Sequence, residues 1–191
     1  TKADAGLWIL NPASANTYTG ATTISAGILR AVDGMGLSSG SNLVINGGVF
    51  ESSGTFNRNV GTLGGQIRVT GGASGFASAT PTRFVVSLNN GGVVNWGDPN
   101  FNPTSLVLGS ATALGETEIA NGINLGTAAR TVSVVNNATT GAMMTAGIIS
   151  GVISGGVGGN LQKAGAGPLI LGNSNTYVGN TVLQDGTLIV G

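Results

Sequence analysis

Two stretches near the ends of the printed sequence carry the same pattern. Residues 167–190 read GPLILGNSNTYVGNTVLQDGTLIV, and residues 6–31 read GLWILNPASANTYTGATTISAGILRA. From the shared Asn-Thr-Tyr onward the two stretches align without a gap, and a lysine stands four residues before each opening glycine, at Lys2 and Lys163. So many matched positions make chance a poor explanation, and we interpret the two stretches as copies of one internal repeat.

The matched positions define the repeat. Each copy, at residues 2–31 and 163–190, begins Lys-x-x-x-Gly, continues with a short apolar run and an Asn-Thr-Tyr-x-Gly-x-Thr segment, and closes on Gly-x-Leu. Glycines at recurring places in short units indicate turns between strands. The residues that we expect to carry the repeat are Asn16, Thr17, Tyr18, Gly20, Gly27 and Leu29 in the first copy and Asn175, Thr176, Tyr177, Gly179, Gly186, Leu188 and Val190 in the second.

The closing strand of each copy indicates which side chains point inward. Successive side chains of a β-strand point to opposite faces. Arg30 of the first copy stands where the second has Ile189, so we assign that face to the outside. The side chains expected to point inward are therefore Leu29, Ala31, Leu188 and Val190.

Between the copies, the apolar residues fall in short runs separated by Gly, Asn, Ser and Thr. Leu43–Ile45, Phe84–Leu88 and Leu106–Leu108 are examples. Short runs rich in Val, Ile and Leu indicate β-strands. The best helical stretch, residues 138–153, contains several glycines and β-branched residues, which disfavour a helix, so we predict strand and loop there as well. The chain is therefore predicted to be all-β.

Two all-β architectures compete. Asn-Gly pairs at residues 46–47, 90–91 and 121–122 are typical of hairpins and favour an antiparallel β-sandwich. Sandwich surfaces normally carry many charged side chains, however, and only 7% of this chain is charged. In a parallel β-helix, Gly and Asn turn the corners while Thr, Ser and Asn cover the outer faces. We predict a parallel β-helix (β-solenoid) of roughly eight or nine coils, each about 20 to 25 residues long, with the sandwich as the alternative.

Composition excludes several functions. The chain has no His and no Cys, so it has no Ser-His-Asp or Cys-His triad, no disulfide framework and no zinc ribbon. Seven Lys and Arg residues balance seven Asp and Glu residues, which leaves no basic patch for nucleic acid. No apolar run is long enough to span a membrane. We expect no cofactor and no metal site.

The repeat resembles the autotransporter-associated β-strand repeat, also called the passenger-associated transport repeat. The hallmark of that family is Gly-x-Leu-x-Leu followed by Asn-Thr-Tyr-Thr-Gly, a Thr-rich strand and Gly-Thr-Leu-x-Val, and residues 163–190 match it most closely. The resemblance implies a right-handed parallel β-helix in a long secreted or surface-anchored bacterial protein, exported through an outer-membrane barrel. It brings no catalytic residues with it. The expected location is therefore extracellular or on the cell surface.

This expectation sets the predicted organisation and partners. We expect residues 1–191 to be a single β-solenoid segment, an internal slice of a longer repetitive protein that acts as a stiff stalk, filament or adhesin passenger. Both ends of the sequence lie inside repeat copies, and uncapped solenoid ends pair with other strands. Neighbouring repeats or other copies of the chain, stacked end to end, are the predicted partners, with surface glycans or host surfaces as further candidates.

Two groups of residues suggest an alternative carbohydrate-binding or polysaccharide-cleaving function. Glu116 and Glu118 form a closely spaced acidic pair that shares one face of a strand, as a general acid and its partner base or a pair of calcium ligands would, although a solvated outer strand is the favoured interpretation. Trp96 and Asp98 lie in an Asn-rich and Pro-rich loop, where an exposed Trp could stack on a sugar ring or a buried one could anchor the loop.

Overall fold

The computed structural model describes residues 1–137 and 145–191; residues 138–144 of the predicted strand-and-loop stretch lie outside the described residues. One 3₁₀ helix is described, at Leu88–Gly91. The strands in chain order are β1 (Leu7–Leu10), β2 (Thr22–Ile24), β3 (Ile28–Ala31), β4 (Leu43–Ile45), β5 (Val49–Ser52), β6 (Thr55–Phe56), β7 (Ile67–Thr70), β8 (Ala73–Ser78), β9 (Phe84–Val86), β10 (Val94–Asn95), β11 (Phe101–Asn102), β12 (Ser105–Leu108), β13 (Thr117–Ile119), β14 (Ile123–Asn124), β15 (Arg130–Val134), β16 (Gly147–Ile149), β17 (Ile153–Ser154), β18 (Leu161–Ala164), β19 (Leu169–Leu171), β20 (Thr181–Leu183) and β21 (Leu188–Val190).

These strands form four sheets. The long sheet stacks β1, β3, β5, β8, β12, β15, β18 and β20; the six-stranded sheet stacks β6, β9, β13, β16, β19 and β21; the four-stranded sheet stacks β2, β4, β7 and β11; and the three-stranded sheet stacks β10, β14 and β17. Every ladder between two strands is parallel. The predicted all-β parallel architecture is therefore confirmed, and the antiparallel sandwich is wrong.

Consecutive strands of the chain lie in different sheets, and this order builds the coils. After β12 in the long sheet come β13 in the six-stranded sheet and β14 in the three-stranded sheet, and β15 then returns to pair with β12. The eight strands of the long sheet give eight levels, which agrees with the predicted number. Leu7 pairs with Ile28, 21 residues later, but Gly75 pairs with Val107, 32 residues later, so the middle coils are longer than expected.

The core consists of stacked columns of apolar side chains. Because parallel strands pair in register, the same face of each strand meets the coil interior level after level. The long sheet contributes Leu29, Phe50, Phe76, Leu108 and Val134, all at most 2% exposed. The six-stranded sheet contributes Phe56, Val86, Ile119, Ile149 and Leu171, also at most 2% exposed, and Val190 continues this column.

The residues that the repeat predicts to point inward are more deeply buried in the first copy than in the second. Leu29 and Ala31 are buried, as predicted, and Leu188 is half-buried against the core. Val190 is 66% exposed, although it stacks on the buried Leu171. The reason is its place in β21, the last strand of its sheet order, where no further described strand covers it.

The Asn-Gly pairs lie at coil corners and form no hairpins. Asn46 and Gly47 lie between β4 and β5, which belong to different sheets, and Asn121 and Gly122 likewise separate β13 from β14. The remaining pair, at residues 90–91, is part of the 3₁₀ helix. Gly47 and Gly91 adopt positive φ values, as glycines of hairpin turns do, whereas Asn121 and Gly122 do not. An Asn-Gly pair therefore indicates a turn without showing whether that turn is a hairpin.

The outer face of the long sheet is partly covered by residues 109–116, a segment between β12 and β13 that we call the strap. Ala113 of the strap packs in a small apolar cluster with Val49, Ala77 and Val107, which point outward from the sheet. The Leu114 N–H donates to the Ser78 carbonyl at 2.9 Å. Because the strap covers this face, all four residues of β5 are buried.

Glu51 lies fully buried beneath the strap. Its Oε1 accepts a hydrogen bond from Arg30 Nε at 2.9 Å, and its Oε2 accepts hydrogen bonds from Ser110 Oγ at 3.1 Å and Thr112 Oγ1 at 2.6 Å. Arg30 pairs with Glu51 in register from the level next to it and also donates to the Thr112 carbonyl. The carboxylate therefore ties the strap to two coils.

Candidate functional site

The two repeat copies adopt one strand register. Their equivalent residues pair identically: Trp8 with Leu29 and Leu10 with Ala31 in the first copy, and Leu169 with Leu188 and Leu171 with Val190 in the second. The sequence repeat is therefore a structural repeat of one coil stacked on the next.

The Asn-Thr-Tyr segment holds the corner of each copy. Thr22 Oγ1 donates to the Tyr18 hydroxyl at 3.1 Å, and the equivalent Tyr177 hydroxyl and Thr181 Oγ1 lie 2.5 Å apart. This bond joins the corner to the strand that follows it, so both copies keep the same geometry.

The asparagine of each segment bonds a neighbouring coil. Asn16 Nδ2 donates to the Gly36 carbonyl at 2.8 Å, and Asn175 Oδ1 accepts the Ile153 N–H at 2.8 Å. The asparagine side chain at the corner thus bonds backbone groups that the strand ladders leave unpaired.

The lysine of the second copy is buried inside the coil. Lys163 is 0% exposed, and its Nζ donates to the carbonyls of Ala164 at 2.9 Å, Gly165 at 2.6 Å and Asp185 at 3.0 Å. Burial lowers the pKa of Lys163, with the charge of Asp185 acting in the opposite direction. The ammonium group satisfies carbonyls on two successive coils, just before the turn at Gly186, whose φ is +70°.

Lys2 occupies the same place in the first copy. It is 2% exposed and donates to the carbonyls of Asp4 and Ala26, which are equivalent to two of the Lys163 acceptors. Its Nζ also lies 2.7 Å from Asp4 Oδ1, and this bond holds the pKa of Asp4 below its usual value. The lysine is thus a structural element of the repeat that joins one coil to the next.

We expect Lys163→Met to lower the free energy of unfolding by about 2 kcal/mol, because buried carbonyls lose their donor while the side-chain volume is kept. Urea unfolding followed by circular dichroism measures the change. Gln184→Ala is the matched control, since Gln184 is exposed and only its backbone bonds Lys163; its effect should stay within about 0.5 kcal/mol. Equal stability of the two variants would contradict the role assigned to the lysine.

The two copies are rotated relative to each other about the coil axis. In the first copy the paired strands β1 and β3 lie in the long sheet, whereas in the second the equivalent β19 and β21 lie in the six-stranded sheet. The connecting strand moves in the same way, from the four-stranded sheet for β2 to the long sheet for β20. The second copy therefore begins one sheet further around the coil than the first. The stretch of chain between the copies does not correspond to a whole number of coils.

Trp96 is buried and anchors its loop. The side chain is 2% exposed, its Nε1 donates to the Pro103 carbonyl at 2.9 Å, and its ring packs edge-on against Phe101 with 6.1 Å between centroids. Arg130 lies 5.7 Å from the ring centroid and donates to the Trp96 carbonyl at 2.6 Å; burial lowers the pKa of Arg130. The ring presents almost no surface on which a sugar could stack.

Asp98 is exposed at the tip of the same loop. Its Oδ1 accepts the Asn100 N–H at 2.8 Å, which closes a tight turn between β10 and β11. Asp98 borders a cleft that Asn89, Asn95 and Asn100 also line. Asn95 and Asn100 belong to the Asn-rich loop singled out from the sequence, but Asn89 was not expected there, because its approach requires a segment from another part of the coil.

Glu116 and Glu118 lie on one face of β13 and its approach, as their spacing predicts. Arg83, which belongs to the neighbouring level, donates to Glu116 Oε2 from Nη2 at 2.8 Å and to Glu118 Oε2 from Nη1 at 2.9 Å. Ser150 Oγ donates to Glu118 Oε1 at 2.5 Å. The hydrogen bond to Glu116 contributes most to raising the pKa of Arg83, and the hydrogen bond to Glu118 acts in the same direction. The pair is thus engaged in a surface ion-pair network.

The structure does not bring all four predicted residues together. Glu116 and Glu118 belong to the six-stranded sheet region, whereas Trp96 and Asp98 follow β10 of the three-stranded sheet. Within residues 1–137 and 145–191, no three Asp or Glu residues are grouped closely enough to hold a metal ion. No helix in the described part of the chain has the length and apolar character needed to cross a membrane.

Comparison with known proteins agrees with the repeat. A family model described as "Passenger-associated-transport-repeat" matches residues 1–31 and 161–190. The chain is 31% identical over 191 residues to the protein "Adhesin BmaC autotransporter" of Brucella suis biovar 1 (strain 1330), an alignment that covers 95% of this chain and 5% of that protein. The chain thus spans about a twentieth of that relative's length. No solved structure matches significantly.

The parallel stacking and the repeated register define a β-helical repeat protein. Residues 1–31 and 161–190 match the passenger-associated transport repeat, and the chain is similar to an autotransporter adhesin along nearly its whole length. Its location is therefore the cell surface or the extracellular space.

Proposed function

We propose that residues 1–191 form one solenoid segment that serves as a stiff, non-catalytic spacer within a long adhesive passenger. The observation that carries the proposal is the eight-stranded parallel ladder of the long sheet, which runs from β1 to β20. Continuous backbone hydrogen bonds, stacked apolar columns and buried lysines resist bending between coils. The alternative of polysaccharide cleavage gains no support from Glu116 and Glu118, since Arg83 engages both carboxylates.

Stiffness can be measured with two spin labels. The chain has no cysteine, so Ile9→Cys and Val182→Cys would be labelled specifically, and both side chains are exposed on the long sheet. The strands that carry them, β1 and β20, are separated by seven strand steps of about 4.8 Å, or roughly 34 Å along the coil axis. Pulsed electron paramagnetic resonance measures the distance between the two labels. We expect a narrow distribution of this distance that broadens only when urea unfolds the protein. A broad distribution under native conditions would overturn the spacer proposal.

The finer proposal is that copies of this chain associate end to end. Among the described strands, β1 and β20 each have one edge without a partner strand in the long sheet, and such edges pair readily with other chains. Sedimentation velocity over a concentration series should show growth of mass with concentration. A strictly monomeric protein at every concentration would contradict this association and leave the spacer role intact.

A further inference from the structure

A small polar cleft lies at the edge of the three-stranded sheet that β10 forms. The sheet begins at β10, which pairs with β14 on one side only. The loop before β7, the 3₁₀ helix and the turn after β10 border the space below this edge, which has a volume of about 150 Å³. Val94 and Phe101 form its apolar floor. The cleft is separate from the repeat corners and from the ion pairs of Arg83.

Three of the four polar side chains of the cleft are anchored at one end. Asn89 Oδ1 accepts the Val60 N–H at 2.8 Å, Asn95 Oδ1 accepts a hydrogen bond from Asn124 Nδ2 at 3.0 Å, and Asp98 Oδ1 accepts the Asn100 N–H at 2.8 Å. The other ends of these three groups, two amide NH₂ groups and one carboxylate oxygen, make no hydrogen bond within the described chain. Anchoring at one end orients donors and an acceptor for a ligand without a large cost in side-chain entropy.

The backbone around the cleft is held rigidly. Asn89 and Asn90 have φ values of +49° and +53° and are the only non-glycine residues of the described chain in the left-handed region. The Asn89 N–H donates to the Arg58 carbonyl at 3.2 Å, and Asn57 Nδ2 donates to Asn90 Oδ1 at 2.9 Å. Strained backbone that surrounding contacts maintain is frequent at binding sites. On the opposite side, the buried Trp96 keeps the turn in place.

The chemistry of the lining selects one class of ligand. Amide donors, one carboxylate acceptor and apolar patches match neighbouring hydroxyl groups and the C–H face of a sugar. Among the described residues, no Lys or Arg lines the cleft, and Asp98 repels anions. The volume is below that of a drug-sized site, which limits the occupant to about one ring. We propose that this cleft binds a single neutral sugar residue at the surface of a glycan, with Asn89, Asn95, Asp98 and Asn100 as its polar contacts.

This inference goes beyond the spacer role and is independent of it. A rigid solenoid whose cleft binds no sugar would still agree with the spacer proposal. The test is a nuclear magnetic resonance titration of the ¹⁵N-labelled chain with glucose, galactose and N-acetylglucosamine, with N-acetylneuraminic acid and Ca²⁺ as separate arms. We expect at least one neutral sugar to shift the side-chain amide signals of Asn89, Asn95 and Asn100, with a dissociation constant on the order of 1 mM, as suits a small ligand.

Two variants assign the binding to the cleft. Asp98→Asn keeps the Oδ1 acceptor of the turn but removes the charge, and Asn100→Ala removes an amide that makes no side-chain hydrogen bond within the described fold. Each should weaken sugar binding at least fivefold, while Asp185→Asn, the same chemical change at the second repeat copy, should not alter it. If one variant proves unstable by urea unfolding, the other carries the test. Absence of any neutral-sugar response, a response to the anionic sugar or Ca²⁺ alone, or unchanged affinity in the folded variants would overturn the proposal.

Discussion

Gly75→Ala is expected to lower the free energy of unfolding by about 3 kcal/mol or more, as severe overpacking does. Gly75 lies in β8 and pairs with Val107 of β12. A Cβ at this position would lie 1.8 Å from the Val107 carbonyl oxygen and 2.7 Å from the Val107 nitrogen. Backbone atoms of a stacked strand cannot rotate away as a side chain can, so the two levels would have to separate and strain the apolar columns between them.

Gly20→Ala is the matched control for this substitution. A Cβ at Gly20 meets no atom within 4 Å, and its φ does not lie in the left-handed region. The free energy of unfolding should therefore stay unchanged or rise by up to about 1 kcal/mol through the loss of unfolded-state entropy. Urea unfolding of both variants, followed by circular dichroism, measures the difference. Equal stability of the two would show that β8 and β12 are not stacked as described.

The second large effect is expected at Glu51. Glu51→Ala leaves Arg30, Ser110 and Thr112 without their shared acceptor beneath the strap, and breaking a buried ion pair on one side costs about 3 to 5 kcal/mol. The Leu114 N–H, which bonds Ser78, should also exchange with solvent faster, because the strap loses its attachment. Urea unfolding and hydrogen exchange provide the two readouts.

Two comparisons isolate the buried pair as the cause. Glu116→Ala removes an exposed partner of Arg83, and exposed ion pairs contribute only about 0 to 1 kcal/mol. The double variant Arg30→Met, Glu51→Leu should be more stable than Glu51→Ala, because it leaves no unpaired charge beneath the strap. If Glu51→Ala costs no more than Glu116→Ala, Glu51 does not hold the strap.

The repeat predicted the parallel stack because its chemistry is local. The alternation in Gly-x-Leu-x-small or Val identifies an inner and an outer face, and the recurrence of Asn-Thr-Tyr shows that one corner is built twice. These signals suffice for Leu29 and Ala31, whose burial agrees with the prediction. They do not give the rotation between the copies, since the length of each intervening coil depends on inserted segments such as the strap.

The sequence does not show which groups the buried charged side chains bond, and the reason is a different one. Lys2 and Lys163 match each other in the repeat, but only the folded coil shows that their acceptors are backbone carbonyls of two successive levels. Glu51 stands between Phe50 and Ser52 in an ordinary short strand, and its partners Ser110 and Thr112 stand about 60 residues away in the sequence. Side-chain type alone identifies neither arrangement, because both depend on how the coils stack.

For the candidate residues, the sequence predicted the placement of the two glutamates relative to each other but not the surroundings of any of the four. The spacing of Glu116 and Glu118 correctly placed them on one face, but the neutralising Arg83 comes from another coil. An aromatic residue in a polar loop is compatible with either an exposed or a buried ring, and Pro103 accepts the Trp96 Nε1 proton only once the loop closes. Asp98 is exposed and borders a cleft among amides that the coil brings together.

The most direct test of the stacked parallel coil is a disulfide between Thr131→Cys and Gln162→Cys in a chain that has no cysteine of its own. Thr131 and Gln162 are register partners, Thr131 Oγ1 lies 2.9 Å from Gln162 Oε1, and Cα atoms about 4.8 Å apart suit a disulfide. Thr131→Cys with Ala164→Cys is the control, because Ala164 pairs with Ser133 and is displaced along the strand. We expect rapid, near-complete oxidation of the first pair and little of the second. Equal oxidation of both pairs, or none of the first, would contradict the in-register parallel coil.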